Sequence, residues 1–140
     1  MKKMLFLSLL CTLLLGCEKE QPTDVPLDIT GSWHLVELHE IDTRSVTIGK
    51  EVVDIYLELA KDNTFSLYQM VGTGKYRCFT GTWILNEDIL SGTYSDNTPW
   101  GAQYEVDLND SSTELVLTCE GEKYIYSKEQ IPEKILSGVK

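Results

Sequence analysis

From Ile29 onward the chain alternates apolar and polar positions with the two-residue period of a β-strand. Val53, Ile55, Leu57 and Leu59 are interleaved with Asp54, Tyr56 and Glu58, and Phe65 and Leu67 with Ser66 and Tyr68. Ala102, Tyr104, Val106 and Leu108 alternate with Gln103, Glu105 and Asp107, and Leu115, Leu117 and Cys119 with Glu114, Val116 and Thr118. Residues two apart on a strand share a face, so each run predicts one buried side and one wet side. Trp33 to Glu40, Tyr76 to Leu85, Ile89 to Ser95 and Tyr124 to Ser127 are β-compatible and complete a set of eight predicted strands.

The breaks between strands are mostly turn chemistry: Lys61-Asp62-Asn63, Gly72-Thr73-Gly74, Asn86-Glu87-Asp88, Asn109-Asp110-Ser111 and Glu120-Gly121-Glu122. Short connections force antiparallel neighbours, so most of the chain predicts a meander of hairpins. Only 41–52 and 96–101 are longer. A meander leaves two raw edges unless it closes, and eight strands close around an interior that fits side chains or one small ligand. The expected fold over residues 29–140 is therefore all-β, an eight-stranded antiparallel up-and-down barrel; a β-sandwich is the other use of the same strands. At the end, Ile131 to Leu136 predicts a short helix, with Pro132 in its first turn and Gly138 just past it.

The start of the chain follows another pattern. Met1-Lys2-Lys3 is basic and Met4 to Leu15 is apolar. A helix of that length rises about 18 Å, short of a bilayer core of roughly 30 Å, so residues 1–16 read as a secretory signal rather than a span. Leu14-Leu15-Gly16-Cys17 resembles the bacterial lipobox. That resemblance implies cleavage before Cys17, a diacylglyceryl thioether on its sulfur and an acyl chain such as palmitate on its amine. Acyl chains contribute about 0.8 kcal/mol per buried methylene, and two or more anchor stably. The residue after Cys17 is Glu18 rather than the aspartate associated with inner-membrane retention, so the expected address is the outer membrane, on its periplasmic or its surface side. Residues 17–28 then comprise the lipidated cysteine and a polar tether with two prolines and no apolar period.

Charge narrows the partners. The chain has 12 basic and 22 acidic residues, a formal charge of −10, and loss of residues 1–16 removes two lysines and leaves −12. An acidic surface without a basic, aromatic-interleaved stripe argues against nucleic acid. Of the four cysteines, Cys11 lies in the signal and Cys17 in the anchor, leaving Cys78 and Cys119 in a compartment that permits disulfides. On the fourth and seventh predicted strands they are nearly opposed in a round barrel, against a Cα–Cα limit of about 6.8 Å. Two buried thiols are the favoured reading; a Cys78–Cys119 disulfide needs a flattened barrel or shifted strands.

Gly31-Ser32-Trp33-His34-Leu35 is echoed by Gly81-Thr82-Trp83-Ile84-Leu85. The flanks diverge at once, which argues against a duplication. Glycine lets backbones approach and tryptophan supplies a large apolar plug, so Trp33 and Trp83 are expected to fill the barrel end rather than line a cavity. Gly31-Ser32-Trp33 at the first strand resembles the Gly-x-Trp signature of lipocalins and related fatty-acid-binding barrels. Together with the lipobox, the tether, and Gly81-Thr82-Trp83 followed by Asn86-Glu87-Asp88-Ile89-Leu90, it makes Ile29 to Ser127 similar to small lipocalin-like lipoproteins of Gram-negative bacteria. Typical lipocalins also carry a Thr-Asp-Tyr-like motif and an arginine near the last strand that stacks on the first tryptophan. Here the only arginines are Arg44 and Arg77. The barrel floor is therefore expected to close differently, and retinoid- or haem-type ligands are not implied.

Little else points to chemistry. His34 and His39 fall on opposite faces of a regular strand, so they share an ion only if a bulge intervenes, and no HExxH motif is present; no metal or cofactor is expected. Gly72-Thr73-Gly74-Lys75 lacks the spacing of a phosphate loop, and no serine sits in a nucleophile motif, so an enzyme is not expected. The expected function is a membrane-anchored lipocalin-like lipoprotein that binds a small apolar or amphipathic ligand. Phe65, Leu67, Tyr104, Val106, Leu115 and Leu117 point inward in that reading, with Trp100 at the mouth, as a gate or folded back as a lid. The alternative is a solid barrel that contacts another envelope protein, as an inhibitor or accessory module; a carbohydrate- or peptide-binding sandwich comes third. A continuous lumen of roughly 300 Å³ or more favours the ligand, a packed interior the solid barrel.

Overall fold

A computed structural model describes residues 25–40, 46–47 and 53–139. The expected signal, Cys17 and most of the tether lie outside the described residues. The described chain forms β1 (Gly31–Glu40), β2 (Val46–Thr47), β3 (Ile55–Leu59), β4 (Thr64–Gly72), β5 (Lys75–Asn86), β6 (Ile89–Tyr94), β7 (Tyr104–Leu108), β8 (Glu114–Cys119), β9 (Glu122–Lys128) and one helix, α1 (Glu133–Gly138).

Strands β3 to β9 follow one another around an antiparallel sheet, β3 pairs with β1, and β9 returns to β1. That last seam runs from Trp33 opposite Lys128 to Glu40 opposite Glu122 and closes the barrel. Eight strands make the wall, as the alternation predicts. The two-residue β2 is an addition within the segment read as a loop; it pairs with β1 at Glu37 and Leu38, beyond the point where β3 leaves it at His34. A bulge between Leu35 and Glu37 shifts the register of β1 against β9. One extra residue reverses the phase, so His34 and His39, opposite Ser127 and Lys123, share the outer face. The expectation of opposite faces holds only for an unbroken strand.

Three Asp-x-Thr triplets shape the turns. Asp28 accepts from the Thr30 N–H and hydroxyl at 3.0 and 2.7 Å, and Asp62 from those of Thr64 at 3.0 and 2.6 Å. Asp96 accepts from the Thr98 N–H at 2.9 Å. The donors hold all three carboxyls below the usual aspartate range.

The interior is filled from one end. Trp33 and Leu115 are fully buried, Trp83 nearly so, and Ile29 seals the same end from the incoming chain. Each indole N–H is satisfied by backbone: Trp33 Nε1 donates to the Ile29 carbonyl at 2.9 Å and Trp83 Nε1 to that of Thr64 at 3.0 Å. Both tryptophans therefore plug one barrel end. The cation of typical lipocalins has a counterpart that a search for arginine overlooks: Lys128, at the end of the last strand, holds its Nζ 5.3 Å from the Trp33 ring centroid. Outside the barrel, α1 buries Ile135 against Tyr56 and Tyr68, with Tyr76, Cys78, Ile131 and Val139 around them.

Candidate functional site

At the opposite end the wall is incomplete and is finished by a loop. β6 and β7 pair at only two positions, Ile89 with Glu105 and Leu90 with Tyr104. Above that seam, residues 95–103 fold back along β6: Tyr94 N–H donates to the Thr98 carbonyl at 2.8 Å and Trp100 N–H to that of Gly92 at 2.9 Å. This lays the Trp100 indole across the lumen. A β-carbon at Gly92 would stand 2.3 Å from Trp100 Cε2, so glycine is what lets the ring lie flat on the wall. The ring meets Phe65 edge-to-face at 5.0 Å and Tyr104 at 6.2 Å. Its Nε1 is, among the described residues, the one buried side-chain polar atom without a partner.

Beneath Trp100 lies a void of about 110 Å³. Its apolar lining is Leu57, Phe65, Leu67, Leu90 and Leu117; its aromatic lining is Tyr94, Trp100, Tyr104, Tyr124 and Tyr126. No lining side chain carries a formal charge. Burial pushes the Tyr104, Tyr124 and Tyr126 hydroxyls up, with Glu122 adding to the effect on Tyr124, so all three stay protonated at neutral pH. The Tyr124 hydroxyl donates to a Glu122 carboxylate oxygen at the rim. Wider clefts of about 830 and 540 Å³ flank the plugged end, but they are open to solvent and rimmed by charges such as Glu87, Asp88, Glu58 and Lys61.

Five of the seven residues expected at the ligand line this void: Phe65, Leu67, Trp100, Tyr104 and Leu117. Val106 and Leu115 do not. They point inward as their alternation requires, but they are buried in the apolar core away from the void, where side chains fill the space. The sequence reading missed Leu57, Leu90, Tyr94, Tyr124 and Tyr126. Period two marks Leu57 and the Tyr124/Tyr126 pair as facing one way; it does not say at what height the filled core gives out. Cys78 and Cys119 are free and half-buried rather than joined or fully buried. Cys78 sits on the outer face under α1 beside Tyr68, whereas Cys119 continues the inward phase of Leu115 and Leu117, so the barrel wall stands between them.

A second cluster lies outside the barrel. His34 is 2 % exposed, with Nε2 2.8 Å from Asp54 Oδ1 and Nδ1 3.0 Å from Glu129 Oε2. Tyr76 donates to the other Asp54 oxygen at 2.5 Å, and Tyr56 stacks on the imidazole at 4.3 Å and 15°. Both ring nitrogens thus face carboxylate oxygens. The cluster ties β1, the approach to β3, β5 and the segment leading to α1 into one network. It leaves His34 no free nitrogen for a metal or a general base, and His39 has its own partner in Glu37 at 2.8 Å.

A closed eight-stranded meander, a Gly-x-Trp at its first strand, a cation over that tryptophan and an apolar void toward the other end together define a lipocalin-like barrel. The sequence model of the lipocalin-like domain matches residues 29–117, and the chain belongs to that family. Solved structures similar to it include a lipocalin-like protein from Bacteroides uniformis ATCC 8492 and an uncharacterized protein from Bacteroides eggerthii DSM 20697. The first shares 22% identity at a TM-score of 0.59, covering 72% of this chain and 98% of its own. The second shares 22% at 0.58, covering 73% and 100%. At that identity the likeness carries the fold. No curated protein matches the chain.

Proposed function

We propose that this chain is a lipid-anchored, lipocalin-like binding protein of the bacterial envelope whose lumen takes a small apolar or amphipathic molecule beneath Trp100. The observation that carries the reading is the aromatic-lined void of about 110 Å³ covered by an indole whose buried N–H has no partner among the described residues. An unpaired buried donor costs about 1–3 kcal/mol. The closed lid is destabilised by that amount relative to any arrangement that supplies an acceptor. The void is close to the roughly 150 Å³ at which an apolar cavity takes benzene, and below the roughly 300 Å³ of a drug-sized site. The resting lumen thus accommodates one ring-sized group, and a longer molecule needs Trp100 to swing out. The void does not reach the lumen of roughly 300 Å³ expected to favour a ligand, and that shortfall is the observation that favours the alternative, a filled barrel contacting an envelope protein.

Native mass spectrometry after non-denaturing extraction tests the reading. A small-molecule adduct that leaves on denaturation and is lost in Trp100→Ala is expected; bare protein mass in both forms would contradict it. The anchor has a separate support in Leu14-Leu15-Gly16-Cys17. Cys17→Ala should release the protein from the membrane fraction, and unchanged retention would refute lipidation at that residue. Binding rather than catalysis is proposed because His34, buried and engaged on both sides, is withheld from acid–base work.

A further inference from the structure

We infer that the lumen is an aromatic cage for a methylated ammonium group, a reading that rests on the lumen being the ligand site. Six aromatic rings line the space, and all but Tyr126 form an unbroken edge-to-face series. Tyr94 meets Phe65 at 5.8 Å, Phe65 meets Trp100 at 5.0 Å, Trp100 meets Tyr104 at 6.2 Å and Tyr104 meets Tyr124 at 6.1 Å. Ring faces carry partial negative charge and attract a cation within about 6 Å of the centroid, which is how quaternary ammonium ligands are held elsewhere. No lysine or arginine lines the void to occupy that position.

Three further features select the charge and its substitution. Glu122 accepts the Tyr124 hydroxyl, placing a carboxylate behind one ring of the cage, outside its lining, where its charge still attracts a cation and repels an anion. The acidic chain, at −10, raises the local concentration of cations in the same sense. A primary ammonium has three N–H donors to satisfy, and the only side-chain acceptors in the lining are tyrosine hydroxyls, of which Tyr124 is already engaged with Glu122. Methylation removes those donors and replaces them with apolar surface that packs on rings, while a hydroxyl on the same molecule, as in choline, accepts from the Trp100 Nε1. A void of about 110 Å³ suits a head of that size.

Calorimetric titration of the full-length protein with choline and with 3,3-dimethylbutan-1-ol, its uncharged carbon counterpart, tests the inference. Choline is expected to bind at least tenfold more tightly. Glu122→Gln should narrow that ratio, and Trp100→Leu, which keeps an apolar lid but removes its ring, should weaken choline at least tenfold. Equal affinity for the two probes, or tighter binding of the alcohol, would overturn the cage while leaving the lumen as a site for uncharged ligands. Failure of both probes to bind would sink the cage and the lumen reading together. Glycerophosphocholine distinguishes the sources of the group. Affinity equal to or above that of choline assigns it to a lipid headgroup, and weaker affinity to a free small molecule.

Discussion

Gly81 and Gly92 are the points at which the barrel wall leaves no room for a β-carbon. At Gly81 it would lie 2.0 Å from the Thr93 carbonyl oxygen and 2.8 Å from the Phe65 ring; at Gly92 it would strike the Trp100 indole. The two glycines of the echoed motif thus answer different needs, since Gly31 is required for its φ of +137°. Gly92→Ala should cost about 1–3 kcal/mol, as overpacking does, and shift tryptophan emission to the red as the indole is pushed toward solvent. Equilibrium unfolding in urea with fluorescence detection reads both. Trp33→Ala, which empties the fully buried plug, should cost roughly 3–5 kcal/mol in the same experiment. The plugs were legible because a glycine beside a large aromatic on an alternating strand has few other uses. Lys128 over Trp33 was not, because a lysine at a strand end is ordinarily a solvated charge and only closure of the barrel brings β9 beside β1.

Among the elements, strand phase followed from alternation, and its interruptions did not. The bulge in β1 depends on how β9 meets it, and β2 on a pairing of two residues that no propensity signals. The same limit hid the outer cluster. Asp54 and Glu129 are far from His34 in the chain and meet it, with Tyr76 joined through Asp54, only because β1, β3 and β5 share a wall that the C-terminal segment crosses. Asp54→Ala should therefore destabilise the protein by about 1–3 kcal/mol, the usual result of taking the partner from a buried polar group, here His34 Nε2 and the Tyr76 hydroxyl. It should also speed amide exchange at Ile135, because α1 packs on the same patch. Exchange at Ile135 identical to the wild type would separate the helix from the network. The seam between β6 and β7 has the fewest paired residues of the barrel seams, so the amide of Tyr104 should exchange faster than those of Leu115 and Leu117 in the same protein.

The described residues form a barrel plugged at one end by tryptophan and walled at the other by tyrosine. Six of its seven tyrosines are held above their ordinary range, with burial the leading cause; Tyr56 is pushed up to about 12, with Asp54 and Glu129 adding to the burial. A tyrosine raised in the folded state keeps its proton after the unfolded chain has lost it. Its stabilisation is complete below pH 10 and is lost progressively as pH rises toward 12. Tyrosinate absorbance should therefore rise cooperatively with loss of β-sheet circular dichroism in that window, and gradual ionisation in an intact fold would contradict the burial. At this scale the closed barrel was legible from turn lengths and strand count. The height of the void was not, because it depends on where plugging side chains from opposite walls stop meeting. The most direct test of the lumen as a binding site follows the three indole N–H resonances in a ¹H–¹⁵N spectrum during titration with 3,3-dimethylbutan-1-ol. The unpartnered Trp100 signal should move while those of Trp33 and Trp83, bonded to backbone carbonyls, stay in place; a Trp100 signal that does not move at saturating probe would contradict a ligand site beneath it.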